Sequence, residues 1–185
     1  MRRLDKILLV STNYTCWEKH PPKGQFSEII ELAGCLLDVK SGDISDVKSY
    51  VVRPSVSELS SYCTALYKIN RNTIDKDGMN FDVAYSKFVR EFNPQFVSWA
   101  TYEFVDKRKI EVECKQYNLK FPLSNNHFCV SDLLSLKYKF NSVPVLTEAV
   151  EFVGSSYKGV PHRAHDSVFN AAVVLRKVLW TQYTT

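Results

Sequence analysis

The sequence has no apolar run long enough to cross a bilayer. Stretches such as "ILLV" and "AAVVL" fall far short of the roughly 20 residues that a spanning helix needs. It also has no C-x-x-C pair. Its five cysteines (Cys16, Cys35, Cys63, Cys114 and Cys129) stand singly and are odd in number, which argues against a disulfide framework and for free thiols in a reducing compartment. A zinc site would have to gather such thiols with His162 or His165 through the fold. No repeat, linker or low-complexity tract divides the chain. The formal net charge of +4 is compatible with nucleic acid but lacks the basic excess of a dedicated DNA-binding module. These absences point away from a membrane protein and from a disulfide scaffold.

What is present is an ordinary globular mixture: 185 residues, 45% hydrophobic and 24% charged. That length suits one domain, 1–185, able to bury a core. The start "MRRLDKILLV" is basic and then apolar, but Asp5 and Asn13 interrupt it, so it reads as a first core strand rather than a leader. A cytoplasmic location is expected.

Residues 5–13, "DKILLVSTN", predict a buried strand with a polar, exposed tip. "FSEIIELAGCLLDV" predicts a second long strand, "SGD" at 41–43 a hairpin-type turn, and "VKSYVVRP" a third strand stopped by Pro54. Helices follow. "SVSELSSYCTALYKI" carries a Ser start signal, and "NFDVAYSKFVREF" places Phe81, Ala84, Tyr85, Phe88, Val89 and Phe92 on one face. "QFVSWA" predicts a strand, "TYEFVDKRKIEVECKQYNL" a charged surface helix, and "HFCVSDL" a strand end running into a helix. "VLTEAVEFVG" and "HDSVFNAAVVLRKVLW" both space apolar residues at helical intervals. The expected class is α/β: a mixed sheet whose first three strands are antiparallel, flanked by helices.

Five short motifs then converge in order. "STNYTCW" (11–17) parallels D-x-E-A-T-C-W, and "EIIE" (28–31) parallels E-I-I-E. "LSSYCTALYKI" (59–69) parallels L-S-x-F-C-x-x-L-T-G-I, and "SWATYE" (98–103) parallels S-W-G-D-Y-D. "GVPHRAHDSVFN" (159–170) parallels G-x-P-H-R-G-x-D-D-A-R-N. Through these, nearly the whole chain resembles the DEDDh 3′–5′ exonucleases of the ribonuclease H-like (DnaQ-like) fold. The nearest branch in pattern is the one that trims interference RNA and histone mRNA, with its bacterial relatives.

The resemblance implies four acids holding two divalent ions, and a His as general base. Carried over residue by residue, the acids fall on Ser11, Asn13, Thr101 and Ser167, and the His on His162. Two ions about 4 Å apart bring four positive charges, which hydroxyls and an amide do not compensate. Asp166 precedes Ser167 by one residue, about 100° round a helix, and Glu103 lies about 200° past Thr101 if that segment is helical. Neither is taken as a substitute.

The expectation that follows is a catalytically inactive exonuclease-like protein without metal or cofactor. It would be an adaptor or structural subunit of a nucleic-acid-handling complex, with antiviral defence as one setting, and with a protein partner or self-association. Tyr102, Phe104, Tyr117, Tyr138 and Phe140 are its candidate docking aromatics. The first alternative is a non-cleaving protein that binds the 3′ end of single-stranded RNA or DNA. Asn13, Tyr14, Trp17, Tyr67, His162 and Arg163 would line its groove, and Lys19, Lys23, Lys107, Arg108, Lys109 and Lys158 would meet the backbone. The second alternative is an active 3′–5′ exonuclease with an unconventional site.

Overall fold

The first strand, β1 (Arg3–Tyr14), alternates its side chains between two faces, as a strand must. Ile7 and Leu9 enter one apolar cluster and Leu8 and Val10 another, so both faces of the sheet are covered. β2 (Ile29–Asp38) runs antiparallel to β1, and β3 (Lys48–Val51) antiparallel to β2. Beyond β1 lie β4 (Val97–Thr101) and β5 (His127–Cys129), both parallel. The sheet order is β3-β2-β1-β4-β5, the expected mixed sheet with an antiparallel start. The computed structural model describes residues 3–45 and 47–180; the basic start at Met1 and Arg2 lies outside them.

Seven helices complete the described residues. α1 (Ser61–Tyr67) starts where Ser60 accepts the Cys63 amide, a Ser start signal five residues after the sequence stretch began. α2 (Arg71–Asp77) was not foreseen; Asn70 caps it, and Ile74 is its buried side chain. α3 (Phe81–Phe92) buries Phe81, Ala84, Phe88 and Phe92 against β2, as its spacing predicted. The contact is close. A Cβ on Gly34 would lie 2.8 Å from Phe92 and 3.0 Å from Phe88, so glycine lets the helix approach the strand.

α4 (Phe104–Gln116) lies on the same face as α3, where Ile110 and Cys114 join Leu8 and Val10. α5 (Val130–Tyr138), α6 (Leu146–Phe152) and α7 (Ala164–Trp180) cover the opposite face, with Val168, Ala171, Ala172 and Leu175 packed on Leu9 and Cys35. The two acids of "EIIE" serve this frame. Glu28 accepts the amides of Ser55, Val56 and Ser57, and these bonds outweigh burial and hold its carboxyl below the usual range. Glu31 is paired with Arg163 from the turn just before α7. β1 and β4 therefore end side by side, the place where open α/β sheets leave a crevice for ligands.

Candidate nucleic-acid cleft

Strand alternation sets the two walls of that crevice. Ser11 and Asn13 follow Ile7 and Leu9 toward α7, whereas Thr12 and Tyr14 face α4. The cleft, about 210 Å³, is lined by Ser11, Thr12, Asn13 and Tyr14 from β1 and by Tyr67 from α1. Tyr102, Glu103, Val105 and Asp106 line the α4 side, and Val145–Thr147, Tyr157, His162 and Ser167 the α7 side.

Ser11, Asn13, His162 and Ser167 thus meet as expected from the resemblance, together with Tyr14 and Tyr67. Asn13 is almost wholly buried and uses both ends of its amide: Nδ2 donates to the His162 carbonyl and Oδ1 accepts the Ala164 amide, each at 2.7 Å. That pair ties the turn before α7 to the tip of β1. His162 occupies a left-handed backbone position at φ 67°, and its side chain is exposed at the rim. Ser167 lies 3.2 Å from the Tyr157 hydroxyl. Asp166 faces away from the cleft and accepts the Val160 amide at 2.8 Å, closing the turn at Gly159.

Thr101 is placed elsewhere, which corrects the sequence reading. It is fully buried in β4 and shares a 2.8 Å hydrogen bond with His127 Nε2. The chain then bends, and Glu103 is the extended N-cap residue of α4, at φ −119° and ψ 163°. The helical rotation that seemed to turn Glu103 away does not apply to an extended residue. Glu103 is exposed and lines the cleft. Of the two acids in the S-W-G-D-Y-D pattern, the second, matched by Glu103, is the one that reaches the site.

Asp106, in the first turn of α4, was missed altogether. Its Oδ1 accepts both the amide and the hydroxyl of Thr12 at 2.7 Å. Burial raises its carboxyl to about 7 in spite of those two bonds. Tyr14 is raised by its own burial and by Asp106, and the Lys109 ammonium lies 4.2 Å from its ring. Tyr67 packs edge-on against Tyr14 at 6.2 Å and is also raised by burial.

The other two expected binding residues lie outside the lining. Trp17 is half-buried just past β1. Arg163 points under the floor and grips Glu31 with both Nε and Nη2, at 3.1 and 3.0 Å.

The two-ion arrangement implied by the resemblance does not fit this donor set. Among the described residues no group of three or more His, Cys, Asp or Glu is placed to hold an ion. Glu103 is the exposed carboxylate at the wall, and Asp106 spends its oxygen on Thr12.

Comparison with known proteins gives the site its context. No family model matches the chain. It is 26% identical over 203 residues to the 3′-5′ exonuclease Snipper of Drosophila melanogaster, covering 97% of this chain and 71% of that protein. It is 26% identical over 190 residues to human 3′-5′ exoribonuclease 1, covering 95% of this chain and 52% of that protein. The chain therefore spans about half the length of the human relative. Among solved structures, the nuclease domain of 3′hExo, a DEDDh family member bound to rAMP, superposes with a TM-score of 0.84 at 25% identity, over 95% of this chain and 92% of that one. A 3′-exonuclease solved for its 3′-end-specific recognition of histone mRNA stem-loop gives 0.83 at 26% identity, over 96% and 64%. The chain has the ribonuclease H-like fold of DEDDh nuclease domains, and its homologues are 3′–5′ exonucleases.

These relatives overturn the expectation of an inactive adaptor. They are named as exonucleases and align over nearly the whole chain. The expectation also rested on a count of acids that assigned one position to Thr101 and passed over Glu103 and Asp106. Its docking aromatics other than Phe104 are buried or half-buried. Tyr102 is buried and donates its hydroxyl to the Pro144 carbonyl, and Tyr138 and Phe140 pack with Phe152. Phe104 is the exception, 46% exposed.

Proposed function

We propose that the cleft takes the 3′ end of a single-stranded RNA or DNA. The observation that carries this reading is the half-buried Tyr14 ring at the strand tip, backed edge-on by the buried Tyr67, with the Lys109 cation over it and the Asn13–His162 turn beside it. Aromatic faces stack bases regardless of sequence, and cations beside them hold phosphates. The homologues, named for 3′–5′ exonuclease activity, support the same direction.

A second reading, trimming of the bound end, is favoured by Glu103, the exposed carboxylate on the α4 wall. Both readings meet one experiment. Single strands labelled at the 5′ end, with a free or a blocked 3′ hydroxyl, are titrated over a salt series and also incubated with Mg²⁺ or Mn²⁺. End binding predicts tighter binding of the free end, weakening steeply with salt. Trimming predicts loss of nucleotides from the 3′ side, abolished in His162→Ala. Binding without shortening removes the trimming reading. Neither binding nor shortening removes both.

A further inference from the structure

Phe104 is the first helical residue of α4 and follows directly on Glu103 of the cleft wall. An exposed Phe by itself is ordinary. This one differs in how it is held and in what surrounds it. The His127 ring meets it edge to face at 5.1 Å, and His127 in turn packs on the buried Trp99 at 4.2 Å. The Thr101 hydroxyl bonds the same imidazole at 2.8 Å. A column of rings therefore runs from the core to the surface and fixes Phe104 beside the cleft mouth.

Two cations share its surface. Lys107 Nζ lies 5.2 Å and the Arg108 guanidinium 6.0 Å from the ring centroid. Contacts that long are at the outer end of useful cation–π geometry and exchange readily for a better partner. A flat base supplies one, and the displaced cations then lie within a side chain's reach of its phosphates. A fixed ring loses little freedom on stacking, so the contact is pre-organised.

We propose that Phe104 is the stacking platform for the nucleobase next to the one in the cleft, with Lys107 and Arg108 holding the adjoining phosphates. This rests on the reading of the cleft as a single-strand 3′-end site and adds its second nucleotide position. The occupant is a single-stranded nucleic acid, because an exposed hydrophobic ring with two cations beside it complements a base with its neighbouring phosphates.

The test uses fluorescence anisotropy with 5′-fluorescein-labelled single strands, one of normal sequence and one abasic at the nucleotide before the last. Phe104→Ala is expected to weaken binding of the normal strand roughly tenfold, the scale of one lost stack. It should have no further effect on the abasic strand, and Phe104→Trp should bind like the unmutated chain. The platform is refuted if Phe104→Ala binds the normal strand as tightly as the unmutated chain, or loses equally on both strands. Unchanged melting of the variant establishes that it folds, as expected at an exposed position. If the unmutated chain shows no salt-dependent binding of any single strand, the cleft reading itself fails, a result distinct from an intact affinity in Phe104→Ala.

Discussion

Arg163→Ala is expected to destabilise the chain by about 3 kcal/mol. Glu31 is fully buried, and its carboxylate accepts from Arg163 Nε at 3.1 Å and Nη2 at 3.0 Å. It also accepts from the Ser49 hydroxyl at 2.7 Å and the Ala164 amide at 3.2 Å. Removing the guanidinium leaves a buried charge with neutral donors only, a loss that costs roughly 3–5 kcal/mol elsewhere. The two remaining donors put this case at the lower end. In urea, with a slope near 2 kcal/mol/M, the midpoint should fall by about 1.5 M. Glu31→Gln should cost less, because Arg163 keeps 24% of its side-chain surface in water. The double variant should recover much of the loss, giving a coupling of about 2 kcal/mol. Arg71→Ala is the control: its pair with Asp75 is 71% and 55% exposed and should contribute under about 1 kcal/mol. If Arg163→Ala keeps its urea midpoint and instead loses affinity for single strands, Arg163 is a nucleic-acid contact and the ion-pair reasoning is wrong.

Two further perturbations probe the cleft walls. Burial holds the Asp106 carboxyl at about 7 against an ordinary 3.8, so the folded chain keeps a proton that the unfolded chain has released between those values. Its contribution to stability therefore falls as pH rises from about 4 to about 7 and is level above. Asp106→Asn should remove that fall, and urea midpoints across the range would read it; parallel curves for the two proteins would refute it. Glu113, raised by burial to about 7, acts with the same sign, and His127, lowered by burial to about 4, with the opposite one. Both remain in the variant, so the difference curve isolates Asp106. Asn13→Ala strips the His162 carbonyl of its donor and should cost about 2 kcal/mol. The Ala164 amide, left with Glu31 at 3.2 Å, should exchange its hydrogen faster, and exchange at the unmutated rate would show that Asn13 does not hold the turn.

Most of the fold was legible because its elements announce themselves by period. β1 is apolar from Ile7 to Val10 and β2 over most of its length because both faces of the sheet are covered, and α3 and α7 carry one apolar face each. α2 escaped because seven residues with Ile74 as their single buried side chain have no period to detect; its Asn70 cap was the available signal. The α4 stretch read as a surface helix, yet Asp106 and Glu113 on it are buried. Charge alone concealed this, since each acid is satisfied by a distant backbone amide, Thr12 for Asp106 and Ile29 for Glu113.

The site was legible at the ends of motifs and misread in the one place where the chain changes direction. Ser11 and Asn13 could be placed because two residues on a strand share a face, and that rule holds up to Tyr14. His162 and Ser167 followed from their spacing around the start of α7. Between β4 and α4 neither period applies. Thr101 completes the strand, the backbone bends at Tyr102, and Glu103 is extended before the helix begins. A rotation counted at about 100° per residue from Thr101 therefore sent Glu103 to the wrong side. The same bend places Phe104 one residue beyond the wall, next to His127 from the neighbouring strand. What the sequence could not display is that Thr101 and Phe104 touch one imidazole, the first as its hydrogen-bond partner and the second as its ring contact. Through that imidazole, Thr101 steadies the exposed ring at the cleft mouth from inside the sheet, a role that its position in a motif of acids gave no reason to expect.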